Sequence, residues 1–195
     1  MTPRVLTIGH SNHTMDHFIG LLKIHGAQVV VDVHSQPYSK YATHFDRDAL
    51  KLGLQSAGFR FLYLRRELGG RPESDEFYDQ KGHVLYERVA TTSIFQEGLK
   101  RLENGIREFR VATLCAEENP SACHRRLLVS RVLLDRGIHE DHIRGDGRLQ
   151  TEEELAAELN PDRNQFALFQ NSEAEPWKSI PPVLRKKRPN SSSTF

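Results

Sequence analysis

The sequence predicts an α/β fold: a three-layer α/β/α sandwich with a mainly parallel sheet of about five strands. Short apolar runs alternate with segments of helical periodicity, and the connections between them are short. The run at residues 28–33 is rich in valine, which is typical of a parallel strand buried on both faces. A chain of 195 residues, 37% of them hydrophobic, is long enough for one well-buried domain. We therefore expect a domain at residues 1–160 and a C-terminal extension at 161–195.

The first part of the domain repeats a strand and helix unit. Residues 4–8 are apolar and predict a strand, and residues 14–25 follow with helical spacing that ends at Gly26. The pattern then continues with a strand at 28–33, a helix at 46–57 that ends at Gly58, and a strand at 59–64.

The second part begins with a polar, irregular excursion at residues 72–83, which we expect to border the site. The regular order then resumes with a helix at 92–105, a strand at 107–114, a helix at 123–136, a strand at 138–143 and a final helix at 152–159. The extension is rich in proline and lacks a periodic apolar face, so we expect it to dock partly, through Phe166, Phe169 and Trp177, and to end in disorder.

Composition excludes several classes of protein. No run of about 18 apolar residues is present, and the first residues lack a secretory signal pattern, so we expect a cytoplasmic protein without a membrane span. In a reducing compartment the two cysteines, Cys115 and Cys123, are expected to be thiols and not a disulfide. A net charge of +1 favours no particular partner, although Arg185–Arg188 makes the C-terminus basic.

Residues 111–126 are the most informative stretch of the chain. An apolar strand runs into a polar turn at 119–121, and the first turn of the helix that follows carries His124, Arg125 and Arg126. Open N–H groups at a helix start, beside two guanidiniums, favour a bound anion such as phosphate. The stretch therefore predicts a functional site but gives only a weak indication of the reaction.

Five motifs in order carry a resemblance to a known family. They are Gly9-His10-Ser11, Asp32-Val33-His34-Ser35 with Pro37 and Ser39, Leu68-Gly69-Gly70, Cys115-Ala116-Glu117, and Cys123-His124-Arg125. On these motifs the chain resembles the family catalogued as domain of unknown function four-eight-eight over roughly residues 4–150. The resemblance implies an α/β fold and no settled activity. The family usually has arginine after Asp-Val, where this chain has His34.

Reactive side chains follow the predicted strands, and ligands of parallel sheets bind outside the carboxyl ends of the strands. We therefore expect these side chains to converge. The predicted catalytic residues are Asp32, His10, Glu117 and His124. The predicted substrate-binding residues are Ser11, His34, Tyr38, Tyr41, His44, Phe45, Arg66, Arg125 and Arg126. Two alternatives stay open: His10 and Asp32 only cap loops, and His124 and Arg125 only hold Glu117 by charge-assisted hydrogen bonds.

The cysteines allow three interpretations. A zinc site fits poorly because structural sites space their cysteines two to four residues apart, so we predict no metal and no cofactor. A phosphatase-like nucleophile at Cys115 would need an anion cradle directly after it, whereas Arg125 comes ten residues later. The simplest interpretation is that Cys115 and Cys123 are small packing residues.

A carboxylate beside histidines, with arginines nearby, suits hydrolysis of a bond in a phosphate-bearing substrate. The best hypothesis is a DNA glycosylase that cleaves the N-glycosidic bond of a modified or damaged base. Asp32 would stabilise the sugar cation, a histidine would protonate the departing base, and Tyr38, Tyr41 or Phe45 would stack on the flipped base. Residues 119–125 also look loosely like the leaving-group loop of uracil-DNA glycosylases.

Two other classes of function remain possible. A binding module for a nucleotide or nucleic acid would need the arginines and tolerate loss of Asp32. A thiol-dependent or redox enzyme would need Cys115 or Cys123. Nucleic acid, as DNA, is the expected partner, and the sequence does not predict the oligomeric state.

Overall fold

The computed structural model describes residues 3–35, 42–159 and 177–183. Its centre is a six-stranded sheet in the order β3-β2-β4-β1-β5-β6. The strands are β1 Arg4–Gly9, β2 Val29–Asp32, β3 Arg60–Tyr63, β4 Val111–Cys115, β5 His139–Ile143 and β6 Leu149–Thr151. β1 to β5 pair in parallel, and β6 runs antiparallel to β5. The predicted α/β class with its mainly parallel sheet is confirmed, and β6 is an addition that the sequence did not predict.

Helices cover both faces of the sheet. They are α1 Met15–Ile24, α2 Arg47–Ser56, α3 Arg65–Leu68, α4 Tyr86–Ala90, α5 Ser93–Glu108, α6 Arg131–Asp135 and α7 Glu152–Leu159. The central strands alternate between two cores, since Val29 and Val31 pack in one apolar cluster and Val30 packs in the other. Strands buried on both faces explain the continuous valine run in the sequence.

Two predicted boundaries differ from the structure. The predicted helix at 92–105 continues to Glu108, because Ile106 extends its buried face, so β4 begins at Val111 and not at residue 107. The predicted single helix at 123–136 follows a turn at Pro120–Ala122 and is divided into a π-helical segment at Arg125–Ser130 and α6. The Ser130 hydroxyl donates to the Arg125 carbonyl at 2.8 Å, a side-chain bond that accompanies the wider winding.

Residues 177–183 lie against the body beside the carboxyl ends of the strands. Lys178 forms an isolated bridge with Leu85, and the Trp177 indole donates to the Leu127 carbonyl at 2.6 Å. The rest of the predicted extension, including Phe166, Phe169 and the basic run, lies outside the described residues. Among the described residues, no helix is both long and apolar enough to cross a membrane.

Candidate functional site

A pocket of about 420 Å³ opens where β1, β2 and β4 end. Parallel strands carry their loops at this edge, so the pocket lies where the sequence predicted convergence. Five of the predicted site residues line it: His10, His34, Phe45, Glu117 and His124. Cys115, Gly70, Arg71 and Tyr86 line it as well, together with residues 179 and 181–183 of the C-terminal segment.

The two thiols and His124 form one buried cluster at the pocket wall. Cys115 is the last residue of β4, and Cys123 follows the turn at 120–122. His124 Nδ1 lies 3.7 Å from the Cys115 sulfur and 4.0 Å from the Cys123 sulfur. Its Nε2 lies 2.8 Å from the Val33 carbonyl and donates to it, which directs Nδ1 toward the thiols.

The electrostatics of this cluster separate the two cysteines. A hydrogen bond from Cys123 lowers the pKa of Cys115 well below its usual value, and His124 lowers it further although burial opposes both effects. Burial and the neighbouring Cys115 raise the pKa of Cys123. Burial lowers the pKa of His124, but Cys115 outweighs it and the pKa is raised. These shifts favour the thiolate form of Cys115, the thiol form of Cys123 and the charged form of His124.

Asp32 and His34 form a second unit of the site. The Asp32 carboxylate accepts from the His34 backbone N–H at 2.9 Å and from His34 Nδ1 at 2.6 Å. Asp32 is buried behind the ring and does not line the pocket. His34 does line it, and its Nε2 has no hydrogen-bond partner among the described residues. Asp32 therefore fixes the orientation of the His34 ring at the pocket wall.

His10 and Phe45 form an aromatic wall. Their rings stack with centroids 4.2 Å apart, and the His10 ring lies 5.0 Å from that of His34. His10 Nδ1 donates to the Ser11 carbonyl at 2.7 Å. Burial, with a smaller contribution from His34, lowers the pKa of His10 to about 4. The ring is therefore neutral near pH 7, and its Nε2 is a hydrogen-bond acceptor.

The arginines have different surroundings from those we expected. Arg125 is fully buried and donates to the Glu117 and Glu118 carbonyls, so it holds the loop that carries Glu117. Arg126 forms an ion pair with Glu152 at 2.5 Å, away from the pocket. Arg66 is exposed and lies in an adjacent groove. None of these three guanidiniums lines the pocket.

Arg71 lies at the pocket, although it is not among the site residues predicted from the sequence. Its side chain is exposed at the rim, and it makes no hydrogen bond or ion pair with the described part of the chain. The sequence feature that could have pointed to Arg71 is the Gly69-Gly70 pair before it. Gly70 lets the backbone approach the His124 ring, since a Cβ there would lie 2.4 Å from His124 Cγ. This close approach of backbone to His124 brings the following residue to the rim.

The remaining predicted residues lie elsewhere. Ser11 is half-buried beside the site, with a left-handed φ of 47° that bends the chain after β1, and its side chain bonds Asn12. His44 is exposed, and its Nε2 lies 2.8 Å from the His13 carbonyl. Neither lines the pocket. Tyr38 and Tyr41 lie outside the described residues.

Within residues 3–35, 42–159 and 177–183, two groups of side chains could hold a metal ion. In each, the ligand atoms lie within 4.8 Å of one another: Cys115, Cys123 and His124 in one, and Glu140, His142 and Glu152 in the other. The argument against zinc concerned the spacing of cysteines within a short sequence motif. It does not apply to either group, because the fold brings these ligands together. The absence of a metal stays a prediction.

Comparison with known proteins places the chain by sequence. The family model described as Domain of unknown function DUF488 matches residues 14–132, which is more than half of the chain and includes the two thiols, His124, Asp32 and His34, whereas His10 precedes it. No curated protein matches the chain. The similarity of residues 119–125 to uracil-DNA glycosylases stays a prediction.

Proposed function

Because the chain belongs to the DUF488 family, which is defined by sequence and not by an activity, we propose from the pocket itself that this protein is a thiol-dependent enzyme. Cys115 is the nucleophile. One observation carries the proposal: the sulfur with the lowered pKa lies on the pocket wall, next to His124 and the Cys123 thiol. A thiolate at neutral pH is a strong nucleophile, and buried cysteines that only pack have no such surroundings.

The reaction that suits these groups is hydrolysis or group transfer through a covalent intermediate. The Cys115 sulfur attacks the electrophilic atom of the substrate, and the bond to the leaving group breaks as His124 Nδ1–H gives that group its proton. Water then attacks the intermediate and gives its proton to the neutral Nε2 of His10, which releases the thiolate. Asp32 acts as a positioning residue, since its hydrogen bonds hold the His34 ring beside that of His10.

The walls of the pocket define the substrate class. The guanidinium of Arg71 at the rim, which has no hydrogen bond or ion pair within the described part of the chain, favours an anionic group, such as a carboxylate or a phosphate. The stacked rings of His10 and Phe45 favour a flat, partly apolar moiety. The volume of about 420 Å³ suits a small molecule or the end of a larger one.

The proposal is tested with two alkylating reagents of nearly equal size, iodoacetate and iodoacetamide. We expect Cys115 of the native chain to be modified first, with iodoacetate favoured over iodoacetamide because Arg71 attracts its carboxylate. Peptide mass spectrometry reports the modified residue, and Cys115→Ser abolishes the signal. Arg71→Ala should remove the preference for iodoacetate, whereas the matched variant Arg66→Ala should keep it. Equal rates at Cys115 and Cys123 would overturn the proposal.

A second candidate, the DNA glycosylase with DNA as its partner, is favoured by one specific observation. The Glu117 side chain lines the pocket together with His10 and His34, so a carboxylate and histidines share one cavity, as cleavage of an N-glycosidic bond requires. Glu117 would take the role that the sequence suggested for Asp32. Incubation with DNA that carries modified bases, followed by detection of alkali-labile abasic sites, tests this candidate. Abasic sites with Cys115→Ser would favour it over the thiol enzyme, and their absence with the native chain would exclude it.

A further inference from the structure

A polar cluster between β5 and α7 has no role in the pocket. Glu140 and His142 lie two residues apart on β5, so both side chains leave the same face of the strand. Glu152 is the first residue of α7 and reaches the same place. We propose that Glu140, His142 and Glu152 bind one divalent metal ion of the zinc and manganese class, with one atom from each as ligand.

The first argument is an unsatisfied carboxylate oxygen. Glu140 is 7% exposed, and its Oε2 has no hydrogen-bond partner among the described residues. The Glu140 carboxyl also lies against that of Glu152, and two buried carboxylates side by side are costly without a cation between them. Glu140 and Glu152 both line a cavity of about 320 Å³, which gives an ion a path to the cluster and room for water ligands.

The second argument is that neighbours already orient the ligands. Thr7 Oγ1 lies 2.8 Å from His142 Nδ1, so His142 Nε2 faces the carboxylates and lies 3.1 Å from Glu152 Oε2. Arg126 Nη2 donates to Glu152 Oε1 at 2.5 Å, and its Nε is shared between the two oxygens at 2.9 and 2.8 Å. A metal ion bound to Glu152 Oε2 would replace the contact of Arg126 Nε with that oxygen and would leave both Arg126 contacts with Oε1. Such outer partners are typical of metal sites.

The donor set selects the kind of ion. One imidazole with two carboxylates suits zinc, manganese and iron, whereas magnesium and calcium prefer oxygen ligands alone. Two carboxylates balance the charge of a divalent ion, and Arg126 remains paired with Glu152 Oε1. The ion would join α7 to β5, the strand next to the edge strand β6.

Electron paramagnetic resonance of Mn²⁺ and equilibrium dialysis with Zn²⁺ test the site on the full-length chain. Mn²⁺ binds thiolates poorly, and the Zn²⁺ measurement uses Cys115→Ser so that the sulfur cluster does not contribute. We expect one bound ion per chain by each method. Glu140→Gln, which keeps the shape of the side chain, should weaken binding at least tenfold. Glu153→Gln, a change of the neighbouring exposed carboxylate, should not.

Two results overturn the proposal. One is that neither ion binds the folded chain, and the other is that Glu140→Gln binds both ions as tightly as the native sequence. If Glu140→Gln does not fold, Glu152→Gln is measured in its place with the same expectation. Circular dichroism of each variant establishes folding first. The outcome is independent of the thiol enzyme, because the Zn²⁺ measurement is made on a chain without the Cys115 sulfur.

Discussion

His124 and His142 are both buried, yet their partners shift their pKa values in opposite directions. Burial lowers the pKa of each, but the Cys115 thiolate beside His124 outweighs burial and raises it. Glu152 opposes burial at His142, where Arg125 and Arg126 add to it, and the pKa is lowered. The shifts favour the charged form of His124 in the soft cluster, which it forms with Cys115 and Cys123, and the neutral form of His142 in the hard cluster, which it forms with Glu140 and Glu152. The difference shows that the neighbours of a buried histidine, and not its depth, decide what it does.

Arg125 lies close enough to both clusters to affect them, and its removal should have the largest effect on stability. Arg125→Met leaves the Glu117 and Glu118 carbonyls without their donor inside the fold. We expect a loss of about 3 to 5 kcal/mol in the free energy of unfolding, from two unsatisfied carbonyls and the lost packing. Denaturant unfolding measures it. Arg148→Met, which removes an exposed ion pair, is the control and should cost at most about 0.5 kcal/mol.

Glu152 tests the hard cluster through pH. Burial raises the pKa of this carboxyl, but hydrogen bonds from His142 and Arg126 outweigh it and hold the pKa at about 2. A folded pKa below the unfolded value means that the stability is fully present above about pH 4.5 and is lost as pH falls toward 2. In metal-free buffer, Glu152→Gln should therefore cost up to about 3 kcal/mol at pH 7, and the cost should shrink between pH 4.5 and 2.

The control for that measurement is Glu153→Gln. Its carboxylate is largely exposed and faces His139 at 3.7 Å, so the free energy of unfolding should change little at any pH. A cost for Glu152→Gln that is constant with pH would mean that packing, and not the charge of Glu152, holds this cluster together.

Gly70 tests the soft cluster by packing. The Cβ of Gly70→Ala would lie 2.4 Å from His124 Cγ and 2.5 Å from its Cβ, so the His124 side chain or the backbone at residue 70 must shift, which disturbs the contacts of His124 with the sulfurs. We expect a loss of about 1 to 3 kcal/mol in stability and slower alkylation of Cys115. Gly20→Ala is the matched control, because nothing lies within 4 Å of its Cβ in the middle of α1, and it should stabilise the fold by about 0.5 to 1 kcal/mol. Unchanged alkylation in Gly70→Ala would show that His124 does not activate the thiol.

The sequence predicts the sheet well because burial on both faces leaves a plain signal. Val29 to Asp32 and Val111 to Cys115 are continuous buried strands, and the polar residues after them lie at the pocket as expected. The short strand Leu149–Thr151 is missed because its three residues carry no pattern of their own and pair only with β5.

The sequence predicts where the pocket lies better than it predicts the surroundings of the individual side chains. His10, His34 and Glu117 line one pocket because each follows the end of a parallel strand, and His124 joins them from the start of the helical segment after β4. Arg125 and Arg126 are polar in sequence, and only the tertiary structure shows that one holds two carbonyls and the other holds Glu152. The lowered pKa of Cys115 depends on a thiol eight positions away and on a histidine held by Val33, which spacing alone does not reveal.

The pH dependence of Cys115 alkylation tests the central claim most directly. The rate of reaction of the native chain with iodoacetamide is measured from pH 4 to pH 10, with Cys115→Ser and Cys123→Ser as the two controls. Because the hydrogen bond from Cys123 and the charge of His124 lower the pKa of Cys115, the rate should reach half its maximum well below the ordinary thiol value of about 8.5. Cys123→Ser should move that midpoint, and Cys115→Ser should abolish the reaction. A midpoint at or above 8.5 for Cys115, or a reaction that begins at Cys123, would contradict the account.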